Sequence, residues 1–254
     1  MDPIRHSSPS DAPPGAPSGA VSDAVPAPVP GPVSGGSARL PDTLDESMLP
    51  AEPMELFALW MGDVVTAGLP EPTAMVLSTV SADLRPRARM VLLKAADAAG
   101  FTFYTNRTSR KASDLAEVPR ACLLFPWYPL QRQVIVEGPV APLSTADSEP
   151  YFHSRARGSQ LGAWASRQST ELSSRAELEE RYVELELRWP EGTEVPMPEF
   201  WGGYRLVPER MEFWQGRLSR LHDRFRYIRD APGGGNGGSS APDATVWRVR
   251  RLAP

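Results

Sequence analysis

Apolar and polar positions recur in two rhythms along this chain, and each change of rhythm marks an element. Over residues 53–67, Met54, Phe57, Leu59, Trp60, Met61, Val64 and Val65 return at helical spacing behind a proline start, which predicts an amphipathic helix. Short β-patterned runs follow at 73–80, 87–94 and 101–105, separated by a turn at 83–86 and another through Gly100. Residues 109–118 are expected to form a short helix stopped by Pro119, ahead of strands at 121–125 and 131–140. Ser144 can cap the next helix, in which Pro150 should kink or shorten the axis. Ser174 and Glu177 have capping-box spacing before a helix ending near Trp189 and Pro190. Strands return at 201–207, 210–215, 223–228 and 245–252, the last two joined by a glycine-rich loop at 233–240. Many short strands with a few outlying helices predict an α+β chain around a small closed β-barrel.

Composition narrows the picture. Residues 1–40 consist largely of Pro, Ala, Ser, Gly and Val, too little apolar surface to offset ordering entropy, so a disordered tail is expected before a folded domain at 41–254. Prolines interrupt every short valine run there, so no secretory signal is expected in it. No apolar stretch approaches the length of a membrane span, and a cytoplasmic protein is expected. The one cysteine, Cys122, lies in an apolar strand pattern and is expected to be buried. With three histidines in the chain it offers no zinc spacing, and no metal is expected. A net charge of −4 argues against nucleic-acid binding, so basic residues that cluster within motifs point to a local anion site.

The densest such cluster is the turn between the 210–215 and 223–228 strands. Trp214 is followed there by Arg217, Arg220, His222 and Arg224, chemistry suited to a flat, anionic, heteroaromatic ligand. A solvated charged turn would use the same residues. Arg220 and His222 alternate, so on an extended segment both would face one ligand. Upstream, Arg89 to Lys94 precede Tyr104 and Thr105, and then Ser109, Arg110 and Lys111. A helix start capped by Ser109 and flanked by two cations suits a phosphate, although an ordinary polar helix start has the same composition. Tyr151 and Arg155 stand four apart and would share a helical face. An arginine resting on a surface tyrosine is the alternative there.

Together with the Gln131-Arg132-Gln133-Val134 and Phe200-Trp201-Gly202-Gly203 stretches and the terminal Arg251-Leu252-Ala253-Pro254, these motifs run in one order from about Leu49 to Pro254. In that order the chain resembles the pyridoxine/pyridoxamine 5′-phosphate oxidase family. The resemblance implies a Greek-key split β-barrel with flanking helices, paired as a homodimer with FMN at the interface. It implies FMN contacts at Arg89, Met90, Val91, Leu92, Leu93, Lys94, Tyr104, Thr105, Arg110, Lys111, Gln133, Gln168, Ser169, Trp214 and Arg224. Lys94, Tyr151, Arg155 and Ser159 would grip the substrate phosphate. Arg220 and His222 would meet the pyridine ring as the catalytic pair, orienting it and easing proton loss. The implied reaction moves a hydride from C4′ of pyridoxine or pyridoxamine 5′-phosphate to the flavin, with dioxygen as final acceptor and hydrogen peroxide as product. A Gly-rich dinucleotide fingerprint is missing from the sequence, in keeping with a mononucleotide flavin. His153, Trp127 and Tyr128 fall outside the matched positions and are expected to pack or face solvent.

Two departures lie near the implied substrate. Where the family carries an Arg-x-x-Tyr lid, this chain has Gly36 and Arg39, and Leu218 occupies a position that is usually polar or small. They keep two other readings open: an FMN oxidase of the same fold acting on a different aromatic acid, as in phenazine pathways, and a non-catalytic carrier of flavin or pyridoxal phosphate. Retention of Lys94, Tyr151, Arg155 and Ser159 favours a phosphorylated substrate.

Overall fold

A computed structural model describes residues 43–230 and 246–254. The expected tail at 1–40, the lid positions Gly36 and Arg39, and the 233–240 loop lie outside the described residues. Helix α1 (Pro53–Thr66) forms where the apolar stripe recurs, and Leu56, Phe57, Trp60, Met61 and Val64 are all buried. Phe57 meets Phe101 and Phe125 edge-on at 4.9 and 5.0 Å, and Trp60 meets Phe213 at 5.4 Å. One helix thus seals strands from three parts of the chain.

Those strands are β1 (Ala74–Val80), β2 (Pro86–Leu92), β3 (Ala95–Asp97), β4 (Gly100–Asn106), β5 (Arg120–Trp127), β6 (Arg132–Pro142), β7 (Trp201–Leu206), β8 (Arg210–Gln215), β9 (Asp223–Arg229) and β10 (Trp247–Arg251). All their pairings are antiparallel. β6 organises the sheet: most of it lies between β5 and β8, while Val140, Ala141 and Pro142 pair with β7. β7 continues to β4 and β4 to β3, which prolongs the line of β2, so the sheet curls round toward β2, β1 and β5. β8, β9 and β10 extend it as a flap. This curled sheet with its flanking helices is the split barrel expected.

The remaining helices are α2 (Arg110–Glu117), α3 (Thr145–Ser154), α4 (Arg157–Ala165) and α5 (Arg175–Arg188). The Ser174 cap forms, its hydroxyl accepting from the Glu177 amide. α3 runs through Pro150 and ends at Ser154, and α4, unforeseen in the sequence, starts three residues later. Cys122 is half-buried rather than buried, and burial followed by nearby Glu137 pushes its thiol up to about 11, which leaves it unreactive near neutrality. Trp127 is in the core, Tyr128 is exposed, and His153 lies 3.6 Å from Glu194. Among the described residues no helix is long and apolar enough to cross a membrane.

Candidate functional site

The site begins where β4 hands over to α2. Ser109 occupies the N-cap position, but its hydroxyl does not cap the helix as expected. It donates to the Asn106 carbonyl at 2.7 Å and accepts from Lys111 Nζ at 3.3 Å. Lys111 is turned inward, only 8% exposed, and its ammonium also donates to Thr105 Oγ1 at 3.1 Å and to Gln168 Oε1. These acceptors are neutral. Burial, and then the nearby Arg89 charge, lower its pKa to about 8. Arg110 stays exposed, and its backbone N–H donates to Ser169 Oγ at 3.3 Å. Arg89, Arg110, Lys111 and Ser169 surround a hollow of about 320 Å³. Three cations around a space whose inward lysine has only neutral partners make a receptor for an anion.

A larger cleft of about 600 Å³ adjoins it. Arg89, Met90, Val91, Leu92 and Lys94 form one wall, Tyr104, Thr105 and Lys111 a second, and Tyr151, Arg155, Ser159 and Gln168 a third. Leu93 is the exception in its stretch: its side chain is in the core, 1% exposed. Tyr104 stacks on Tyr151 with ring centroids 4.2 Å apart and on Trp201 at 5.2 Å. Lys94 Nζ lies 5.6 Å from the Tyr151 ring centre, and the Arg155 guanidinium 5.1 Å from that of Trp201. Tyr151 and Arg155 do reach one cleft, but not by sharing a helical face. Arg155 is already extended past the end of α3 (φ −73°, ψ 149°), so the break between α3 and α4 delivers it.

Trp201 was not among the site residues expected, yet it completes the ring stack. The adjacent glycine pair was the available signal. A Cβ on Gly203 would lie 2.6 Å from Leu143 Cδ1 and 2.9 Å from Tyr104 Cε1, so the tyrosine packs there only against a bare backbone.

The remaining predicted residues form a second cluster, which does not line this cleft. Gln133, Trp214 and Arg224 are cross-strand neighbours on β6, β8 and β9. Arg224 donates from Nε and a terminal nitrogen to Glu212 Oε1 at 2.9 and 2.6 Å, and Arg226 holds Oε2 of the same buried carboxylate. Arg220 and His222 do not alternate on an extended segment. The chain folds into a 3-10 turn at Leu218–Arg220, with φ of 57° at Ser219 and 61° at Arg220. Arg220 is exposed, while His222 packs on Trp214 at 4.6 Å and accepts the Arg217 backbone N–H on Nδ1 at 3.0 Å. Asp223 holds the base of the turn. Burial would raise its pKa, but the Leu44 N–H, Arg251 and Arg217 outweigh that and lower it.

Two family models divide the chain between them. The family model for pyridoxamine 5′-phosphate oxidase matches residues 61–188, and that for the pyridoxine 5′-phosphate oxidase C-terminal dimerisation region matches residues 201–254. The chain belongs to the pyridoxine/pyridoxamine 5′-phosphate oxidase family. It is 50% identical over 230 residues to the pyridoxine/pyridoxamine 5′-phosphate oxidase of Frankia casuarinae, covering 79% of this chain and 86% of that one. With the enzyme of the same name from a Nocardioides species it shares 53% identity over 211 residues, 83% of this chain and 92% of the relative. Among solved structures, PhzG of Burkholderia lata bound to tetrahydrophenazine-1-carboxylic acid superposes with a TM-score of 0.74 at 32% identity, covering 84% of this chain and 98% of that one. In this oxidase the cleft residues from Arg89 to Gln168 lie within the first matched region. Trp214, Arg220, His222 and Arg224 lie within the dimerisation region.

Proposed function

We propose that this oxidase binds FMN in the cleft beside Arg89 and Lys111 and converts pyridoxine and pyridoxamine 5′-phosphates to pyridoxal 5′-phosphate. The observation that carries the reading is the meeting of two basic groups in one cleft, Arg89 with Lys111 and Lys94 with Arg155. FMN and substrate each carry one phosphate, and the cleft supplies a cationic set for each. The residues fit FMN on this ground: Lys111 keeps only neutral oxygens as partners, whereas the buried Arg132, on β6, is already paired with Asp63 at 2.6 Å. Arg110, Lys111, Ser169 and the α2 N–H groups would hold its phosphate.

When bound, FMN supplies a two-electron acceptor that dioxygen reoxidises, releasing hydrogen peroxide. The side chains supply position. Lys94 and Arg155 neutralise the substrate phosphate, the Ser159 hydroxyl donates to it, and the Tyr104, Tyr151 and Trp201 rings wall off water. A second copy of the chain brings in the cluster of Trp214, Arg220, His222 and Arg224 from the dimerisation region, with Gln133 of β6 beside it, and so completes the site. His222 Nδ1 already accepts from Arg217, so the neutral ring carries its proton on Nε2 and offers a donor to orient the substrate. A flavin-loaded species sedimenting at twice 27.8 kDa is expected, and a monomer that retains FMN would refute the pairing.

Peroxide release tests the function, with pyridoxine 5′-phosphate, unphosphorylated pyridoxine and a phenazine carboxylic acid compared side by side. Turnover confined to the phosphorylated substrate is expected. Turnover of the phenazine acid alone would favour the chemistry of the PhzG relative, and flavin binding without turnover a carrier.

Lys111 sets a pH dependence. Above about pH 8 the free ammonium loses its charge, so FMN affinity should fall, by up to about tenfold per pH unit, while the phosphate stays dianionic. The apoprotein should move the other way. Between about pH 8 and the unfolded lysine value near 10.4 the unfolded chain binds more protons, so this group's contribution to stability rises with pH. Fluorescence titration of FMN at pH 7, 8 and 9, with Lys111→Met as the flat control, checks the first trend.

A further inference from the structure

Behind the anion hollow lies a buried relay that the reading above does not use. β1 and β2 set Thr79 opposite Arg87 and Leu77 opposite Arg89. One terminal nitrogen of Arg89 donates to Thr79 Oγ1 at 2.7 Å and to the Leu77 carbonyl at 3.1 Å. The Thr79 hydroxyl, with its acceptor side occupied, donates its own proton to Asp114 Oδ2 at 2.7 Å. Asp114 comes from α2, is 1% exposed, lies 3.6 Å from the other Arg89 terminal nitrogen and also pairs with Arg87. It stands one helical turn beyond Lys111, so the helix that carries the inward lysine also carries the carboxylate that restrains the facing arginine.

We propose that Thr79 and Asp114 are positioning residues for the cofactor phosphate, holding the Arg89 guanidinium at one orientation toward the hollow it shares with Arg110 and Lys111. The inference rests on the FMN reading above. Its physical basis is directional. A threonine hydroxyl has one proton and two acceptor sites, and once its proton is committed to Asp114 it meets Arg89 only as an acceptor. Arg89, Arg110 and Lys111 repel one another around the hollow, and without an anchor the arginine would swing away from the other two. Asp114, which does not itself line the hollow, opposes that motion.

The electrostatic and positional accounts of Asp114 predict opposite signs. If it acted only as a charge, Asp114→Asn would strengthen phosphate binding, because a carboxylate is removed near an anion. If it positions Arg89, the same change weakens it. Thr79→Val isolates the relay with no change of charge or size. Dissociation constants for FMN and for riboflavin, which lacks the phosphate, are measured by fluorescence quenching on the full-length apoprotein. For Thr79→Val, FMN affinity should fall about tenfold while riboflavin affinity stays within about twofold, and Thr79→Ser should restore the wild-type ratio. Asp114→Asn should shift the ratio in the same direction.

An unchanged FMN-to-riboflavin ratio in Thr79→Val, an equal loss of both ligands, or tighter FMN binding in Asp114→Asn would overturn the proposal while leaving the FMN reading intact. If wild type shows no preference for FMN over riboflavin, both fall. Should Thr79→Val fail to fold, the sign of the Asp114→Asn effect decides.

Discussion

Replacing Arg110 and Lys111 together with alanine is expected to yield a folded, colourless protein. Lys111 is the one inward cation of the hollow, held by Thr105, Ser109 and Gln168, and Arg110 stands at its mouth. If these residues hold the FMN phosphate as proposed, each replacement removes a charge-assisted contact worth about 1.5–3 kcal/mol, so the pair should weaken FMN by roughly 10²- to 10⁴-fold. Folding survives because the burial of Lys111 carries a desolvation cost that alanine relieves, and Arg110 is exposed. The check is flavin absorbance of the purified variant beside its melting temperature. Full flavin occupancy in the double variant would move the phosphate elsewhere.

The second large effect is expected at Arg155. Delivered by the break between α3 and α4 and resting on Trp201, it is presented to the cleft beside Lys94. On the proposed phosphate grip, Arg155→Ala should remove one cationic contact, about 1.5–3 kcal/mol, which corresponds to roughly a 10- to 150-fold rise in KM. kcat should change less, since the contact is present before and during the reaction. Activity toward unphosphorylated pyridoxine should hardly move. Steady-state peroxide release with both substrates measures the ratio, and an unaltered ratio removes Arg155 from the phosphate grip.

Local periodicity carried most of the element boundaries. Strand β8 matches its expected span because apolar Met211 and Phe213 alternate in the sequence and both reach the core, although Glu212 between them is buried as well by its arginine pairs. α4 was missed because Gly158, Ser159 and Gly162 are poor helix formers; it is stabilised by burial of Leu161 and Ala165 and by packing with α5. The turn at Leu218–Arg220 misled in the opposite direction. Alternating Arg220 and His222 look extended in sequence, but two consecutive left-handed residues reverse the chain between them and the end of β8.

The chemistry of the site was set by the chain itself: which cations, hydroxyls and rings are present, and in what order, follows from residue identity. Which of them meet did not. Lys111 and Gln168 are 57 positions apart, and Thr105 and Gln168 are 63 apart. Contacts of that span leave no periodic trace, because they form only when α2 and the segment after α4 close over the end of β4. The division into two clusters is likewise tertiary. Gln133, Trp214 and Arg224 are neighbours only because β6, β8 and β9 pair in one register, and the curl of the sheet keeps them out of the cleft that holds Arg89 and Lys111. Residue types select the ligand's charge and flatness through local chemistry, whereas the strand register, fixed by burial of alternate side chains across the whole barrel, decides which residues share it.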